Sequence, residues 1–311
     1  MPSFFVIVNP ISGHGAGAEA IPDIHQTLKK LNLSYDLVKT EQPGHAIELA
    51  RQAAHDGYEA VIAAGGDGTA NEVINGLMLA RKEGAPDTAM GVLGIGRGND
   101  FAYGAQIPSG LEAGCEALAR NERRRIDIGF VKGGNFPDGR YFGNGIGVGF
   151  DAVVGFEAMK MTHLRGFASY LVAALKTIFL YYRAPRVRLE MNGGSMELDA
   201  LMVSIMNGRR MGGSFMMAPE SQNNDGVLDL CIVKQVSKAG TFALIPRFMQ
   251  GSQASHPAVL FTRTRELSVT ALQGTLPAHA DGETICEEGD RMSIQLLPAQ
   301  LDVICSPGEA A

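Results

Sequence analysis

Apolar runs and helically spaced apolar residues take turns through the first 120 positions. "SFFVIV" (3–8) is β-branched and aromatic, and Ile21, Ile24, Leu28 and Leu31 then recur at helical spacing. "YDLVKT" (35–40) predicts a second strand, with Ala46, Leu49, Ala50, Ala53 and Ala54 marking a small-faced helix after it. A third strand, "EAVIAA" (59–64), is followed by a helix carrying Val73, Ile74, Leu77 and Met78. "MGVLGI" (90–95) predicts a fourth. Such alternation dictates a parallel, doubly wound sheet with helices on both faces.

The pattern changes near residue 125. Strands are predicted at 126–132, 140–147, 186–191, 198–206, 227–234, 267–272, 292–297 and 301–305, with turn signals at "GGNFPDG", "NGG", "NNDG" and "ADGE". Only 153–182 and 238–250 read as long helices. The expected division is an α/β domain over 1–124 and a mainly antiparallel domain over 125–311, its last strand able to return to the first domain.

A chain of 311 residues is long enough for two cores. With a net charge of −6 and "RRR" at 123–125 as its most basic run, it offers no grip for a nucleic acid backbone; that run is expected to be a solvated face. Cys115, Cys231, Cys286 and Cys305 are scattered without a C-x-x-C pair, which speaks against a zinc site and for a reducing, cytoplasmic setting. "MPSFFVIVNP" does not read as a signal peptide. The greasiest stretch, 167–182, is broken by Lys176 and is short of the roughly 20 residues that span a bilayer, so it predicts a helix buried on one face.

Three glycine-rich loops end predicted strands, where open α/β sheets bind ligands: "NPISGHG", "GGDGTANE" and "GRGND". In the second, Gly65, Gly66 and Gly68 let bare backbone approach phosphate, and Thr69 is placed to cap the next helix. An acid there, Asp67, makes sense if Mg²⁺ accompanies a nucleotide's phosphates. Asn99 and Asp100 either face the same crevice or form an Asx turn. Asp281, in "ADGE", reads as a hairpin turn or as a base on an attacking hydroxyl. Asp225, in "NNDG", reads as a plain turn or a hard-oxygen cation site.

Taken in order, "NPISGHG", "GGDGTANEV", "GRGNDFA", "RIDIG", "FGNGIGVGFDA", "NGRRMGGSFMMAPESQNNDGVLD" and "HADGE" resemble the diacylglycerol kinase catalytic-domain family, which includes bacterial lipid kinases and the sphingosine and ceramide kinases. The resemblance implies a nucleotide-binding α/β domain like that of NAD kinase and phosphofructokinase, a C-terminal β-sandwich, and an active site in the cleft between them. It implies an ATP- and Mg²⁺-dependent lipid kinase, cytoplasmic and transiently at a membrane surface, with a second copy of the chain as a possible partner. Asn9, Thr40, Gly65, Gly66, Asp67, Gly68, Thr69, Ala70, Asn71, Arg97 and Asn99 would cradle ATP. Asp67, Asp100 and Asp127 would join an acid–water–metal network. Asp281 would be the general base with Glu283 in support, and Asp225 with the carbonyls of Gln222 and Val227 would hold a second, structural Mg²⁺. Phe215, Met216, Met217 or the 167–182 helix would meet the membrane.

Two positions depart from the family pattern: His14 stands where a Lys is usual, and Gly94-Ile95-Gly96-Arg97 replaces a Pro-x-Gly-Thr turn. The paired change suggests that Arg97 has taken over phosphate contact. An NAD kinase is the competing enzyme, although no Thr-Pro-Thr-Gly-Ser-type stretch occurs. A non-catalytic nucleotide or lipid sensor is the alternative from another class.

Overall fold

The computed structural model describes residues 3–96, 98–160, 167–180 and 183–306. The chain divides into two compact units, one running up to Ile128 and resuming at Ala299, the other Gly129–Pro298.

The first unit holds parallel strands β1 (Phe4–Val8), β2 (Tyr35–Lys39), β3 (Ala60–Gly65) and β4 (Ala89–Gly94) in the order β2-β1-β3-β4. Its helices are α1 (Ala16–Glu19), α2 (Ile21–Lys30), α3 (His45–His55), α4 (Asp67–Lys82), α5 (Asp100–Gly104) and α6 (Leu111–Arg120). All six residues of β3 are buried, as a central strand covered on both faces requires. Ile24 and Leu28 of α2 and Cys115 and Leu118 of α6 pack with Val6, Val8, Ile62 and Leu93. The alanine face of α3 lets α4 approach closely: a Cβ on Gly76 would lie 2.7 Å from that of Ala50.

Glu72 of α4 reaches back to that neighbour, its carboxylate accepting from Gly44 N (2.9 Å) and Ala46 N (3.0 Å) at the start of α3. No residue at the N-cap of α3 supplies a side-chain bond, so the cap comes from a different helix. Glu72→Ala is expected to cost about 1–2 kcal/mol, measured as a lower urea midpoint at unchanged slope.

The chain leaves this unit through β5 (Arg123–Gly133). The arginine run starts this strand with Arg123 and Arg125 exposed, as expected of a solvated face, and Arg124 half-buried; each side chain has partners. Arg123 pairs with Glu59, Arg124 donates to Gln106 Oε1 (2.9 Å), and Arg125 pairs with Asp87 (3.0 Å) and donates to Ala299 O (2.9 Å).

The second unit continues with β6 (Phe136–Phe142), β7 (Gly145–Gly149), α7 (Phe150–Met159), α8 (Phe167–Leu180), β8 (Arg186–Met191), β9 (Gly194–Met206) and β10 (Leu228–Lys234). After α9 (Lys238–Gln250) come β11 (Val259–Thr264), β12 (Glu266–Gln273), β13 (Leu276–Ala280), β14 (Glu283–Gly289) and β15 (Arg291–Ile304), whose last residues return to the first unit, where Val303 pairs in parallel with Met90. Within the second unit the named pairings are antiparallel: β14-β13-β7-β9-β10-β11 form one sheet, and β9-β8-β12 with the start of β15 another.

The long strand β9 serves both sheets, because its first half pairs β8 and its second half pairs β7 and β10. Phe142, Ile146, Leu189, Val203, Leu230, Val269 and Ile294 fill the sandwich core. Leu201, Met202 and Met206 pack with Val154, Ala174, Leu244 and Phe248 of α7–α9. Covered on both faces, Ala200–Met206 is buried at every position, whereas 194–199 is not.

Several boundaries differ from expectation. The predicted 140–147 strand is two strands, broken at Gly143-Asn144, and "NFPDG" lies largely inside β6. β11, β13 and β14 were not expected, while 292–297 and 301–305 belong to one strand that passes Ala299 at φ 52. The 153–182 stretch is two helices, its residues 161–166 and 181–182 lying outside the described set. Lys176, which interrupts the greasy run, pairs with Glu157 of α7, whose other oxygen takes Lys160 at 2.9 Å. Lys176 first, then Lys160, hold the Glu157 carboxyl below its ordinary range. Among the described residues no helix is long and apolar enough to cross a membrane.

Candidate active site

In the first unit, the loops after β1, β3 and β4 converge by backbone contact. Asn9 N donates to Ala64 O (3.0 Å) and Ile95 N to Gly65 O (2.8 Å), while Asn9 Nδ2 donates to Thr69 Oγ1 (3.1 Å). A Cβ on Gly13, which sits at φ 60, would lie 2.6 Å from Ile95 O, and one on Gly96 would overlap Gly66 Cα. Glycine is therefore what lets the loops touch. His14 occupies the left-handed region at φ 61, and Arg97 lies outside the described residues.

Thr69 does not cap the helix, contrary to expectation. α4 begins at Asp67, Gly66 is its N-cap without a side-chain bond, and Thr69 is buried inside the first turn facing Asn9. Ala70 and Asn71 are buried in the same helix, and Asn71 receives Asn75 Nδ2 on its backbone oxygen (2.8 Å). Thr40 N donates to Val8 O just beyond β2.

Asp67 caps a different helix. Its Oδ1 accepts from Phe101 N (3.0 Å) in the first turn of α5, while Asn99 folds back on its own loop, accepting from Gly96 N (3.2 Å). On the other side, Asp67 Oδ2 and Asp100 Oδ2 approach Gly98 within 2.9 and 3.2 Å of where a Cβ would stand. Two carboxylates are thus brought to one glycine beside the phosphate-sized turns. Among the described residues no group of three or more His, Cys, Asp or Glu could hold an ion by itself. The donor set suits a cation shared with ligand phosphates and water, the usual arrangement for Mg²⁺. Asp127 is buried and turned to Ala299, whose N–H it accepts at 2.7 Å.

In the second unit, Asp281 and Gly282 form the two-residue turn of the β13–β14 hairpin, both at positive φ (48° and 87°). A turn aspartate is ordinarily solvated, yet this one is only 6% exposed. Its Oδ2 accepts from Gly143 N, and its Oδ1 from Asn144 N (3.0 Å) and Gly145 N (2.9 Å). That 143–145 loop is itself clamped: Asn207 N and Gly208 N donate to Asn144 O, Asn207 Nδ2 to Gly143 O, and Asn144 Nδ2 to Arg210 O. "FGNG", "NGRR" and "ADGE" are therefore one structural unit. The grip of Gly143, Asn144 and Gly145 on Asp281, with Asn207 clamping their loop, was missed in the sequence, where only the density of Gly and Asn signalled it. Glu283 faces Ala280 across the hairpin and lies 4.0 Å from Arg140, whose guanidinium rests 5.3 Å over the Phe136 ring.

The Asp225 loop is exposed, its Oδ1 accepting from Val227 N (3.2 Å) as an Asx turn does, while Arg265 donates to Gly226 O (3.0 Å). Gln222 is exposed nearby. Of the apolar residues expected to meet a membrane, Met217 is core, whereas Val172 of α8 is exposed. All four cysteines are buried free thiols, and burial pushes Cys115 up to about 11, so none is a ready nucleophile.

Residues 3–131 match the diacylglycerol kinase catalytic domain, and residues 144–305 match the YegS C-terminal NAD kinase beta sandwich-like domain. This chain belongs to the diacylglycerol kinase catalytic-domain family. Within that family of lipid kinases it is a phosphotransferase. A Staphylococcus aureus (strain bovine RF122 / ET3-1) diacylglycerol kinase is 28% identical over 279 residues, covering 89% of this chain and 85% of that protein. A diacylglycerol kinase structure from Bacillus anthracis str. Sterne superposes with a TM-score of 0.73 at 18% identity, covering 98% and 97% of the two chains. An Archaeoglobus fulgidus NAD kinase in complex with ATP gives 0.52 at 14%, over 97% and 93%. At such identities the structures establish the shared fold alone: an α/β domain and a β-sandwich domain.

Proposed function

We propose that this protein transfers the γ-phosphoryl group of ATP, with Mg²⁺, to a hydroxyl of a lipid at a membrane surface. The observation that carries the reading is Asp281: a turn residue kept out of water with its carboxylate fixed by three successive N–H groups. Phosphoryl transfer passes through a loose transition state that asks for positioning and a weak base, which an oriented carboxylate supplies. Asp281 takes the proton of the lipid hydroxyl as its oxygen attacks phosphorus, and Glu283, beside Arg140, sets the charge of the hairpin. The touching glycine loops offer backbone N–H groups to the phosphates. Asp67 and Asp100 would hold a Mg²⁺ ion together with the phosphates, and the ion would supply positive charge against the charge that builds on them. An NAD kinase shares the fold, but the hydroxyl it would phosphorylate belongs to a nucleotide and needs no membrane.

Transfer of label from [γ-³²P]ATP to lipid extracts in vesicles, run beside NAD, decides the reading: labelled lipid supports it, labelled NAD supports the competing enzyme, and no product with ATP binding intact supports a sensor. Asp225 with the carbonyls of Gln222 and Val227 is proposed as a second, structural Mg²⁺ site. Millimolar Mg²⁺ is then expected to raise the melting temperature of the wild type and not of Asp225→Ala.

A further inference from the structure

A second polar cluster lies on the strands that carry Asp281. His279, Gly147 and Ser204 are direct ladder neighbours across β13, β7 and β9. Asp151, in the first turn of α7, sits over the glycine: its Oδ1 meets His279 Nε2 (3.2 Å) and its Oδ2 accepts from Ser204 Oγ (3.1 Å). A Cβ on Gly147 would overlap both the Asp151 carboxylate and the imidazole. The ring also passes beneath Gly155, one turn along α7, with Cδ2 3.9 Å from where its Cβ would be.

The acceptors around the ring fix its chemistry. Asp151 accepts, so Nε2 carries hydrogen, and in the neutral imidazole Nδ1 is then an acceptor. Nδ1 makes no hydrogen bond to a described residue, and the side chain is 17% exposed. His279 is clamped at one nitrogen by a carboxylate that is itself clamped, two residues before Asp281, the turn residue that follows its strand.

We propose that His279 reads the acceptor lipid: its Nδ1 accepts a hydrogen bond from a second donor of the head group, a hydroxyl or amine beside the hydroxyl that is phosphorylated. Asp281 is engaged with the attacked hydroxyl, so a ligand for Nδ1 must bring another donor. The favoured acceptor class is therefore a lipid with two neighbouring donors, such as a glycerol-headed phospholipid, over one with a single hydroxyl. This rests on the lipid kinase reading above and deepens it.

The test compares dioctanoyl phosphatidylglycerol, which has two head-group hydroxyls, with 1,2-dioctanoylglycerol, which has one. Wild type is expected to show the higher kcat/KM on the first. His279→Gln keeps an amide donor for Asp151 but has no acceptor at the δ position. It is expected to lose about tenfold in kcat/KM on the two-donor lipid, chiefly through KM, while the one-hydroxyl lipid and the KM for ATP are unchanged; one hydrogen bond accounts for that magnitude. Equal losses on both lipids, or none, overturn the proposal. Imidazole ¹⁵N spectra of the wild-type chain, assigned by through-bond correlation from the His279 backbone, should show Nδ1 unprotonated and shifted by the phosphatidylglycerol but not by the diacylglycerol. An unmoved Nδ1 signal overturns the assignment even if the variant fails to fold. Absence of phosphorylation of any lipid by wild type sinks the kinase reading instead, and the spectra still decide whether His279 binds the head group.

Discussion

Asp281→Asn is expected to lower kcat for lipid phosphorylation by about 10²- to 10⁴-fold, the range that one positioned base supplies, while ATP binding is retained. The physical reason is local. Asparagine keeps one acceptor oxygen but turns an NH₂ toward backbone N–H groups of Gly143, Asn144 and Gly145, where the carboxylate accepted from all three. A donor facing a donor inside a 6% exposed site also costs stability, about 1–3 kcal/mol. Melting temperature and turnover therefore fall together, and the two are separated by assaying well below the transition. Asn207→Ala, which withdraws a clamp on Gly143 without touching the carboxylate, should lose stability with a much smaller drop in kcat. Full turnover by folded Asp281→Asn would falsify the base assignment.

The second large effect is at Asp67, where charge and capping can be separated. Asp67→Asn retains an oxygen for Phe101 N and so keeps α5 capped, but it removes the negative charge beside Asp100. Turnover should fall about 10²-fold or more at fixed Mg²⁺, with the melting temperature nearly unchanged; the magnitude is what loss of one electrostatic contact to a transferring phosphoryl group costs. Asp67→Ala removes the cap as well and should lose about 1 kcal/mol of stability beyond the asparagine variant. If both variants lose stability equally and asparagine keeps full activity, the residue is a helix cap and no more.

Much of the first unit was legible because its signals are local. Strand-like runs with helical stretches between them give the parallel sheet, and the small face of α3 is written in four alanines that the structure buries. Glycine loops at strand ends could be placed for the same reason. The cap assignments went wrong because a cap is a question of which group reaches which N–H. Thr69, nearest in sequence, turned to Asn9, while Glu72 and Asp67 cap the helices of other segments. In the second unit, "NFPDG" has the composition of a turn but pairs as β6, because a strand partner overrides local preference.

By itself the order of residues determined the two classes of architecture and the family, and it named the candidate acids, since periodicity, glycine placement and short motifs are properties of neighbours along the chain. Only the tertiary structure decided that Asp281 is buried under three N–H groups, that Asp67 and Asp100 meet at Gly98, and that His279 is held by Asp151 from 128 positions away. Hydrogen bonds and burial depend on which strands lie side by side, and that pairing is settled by the fold as a whole rather than by any stretch within it.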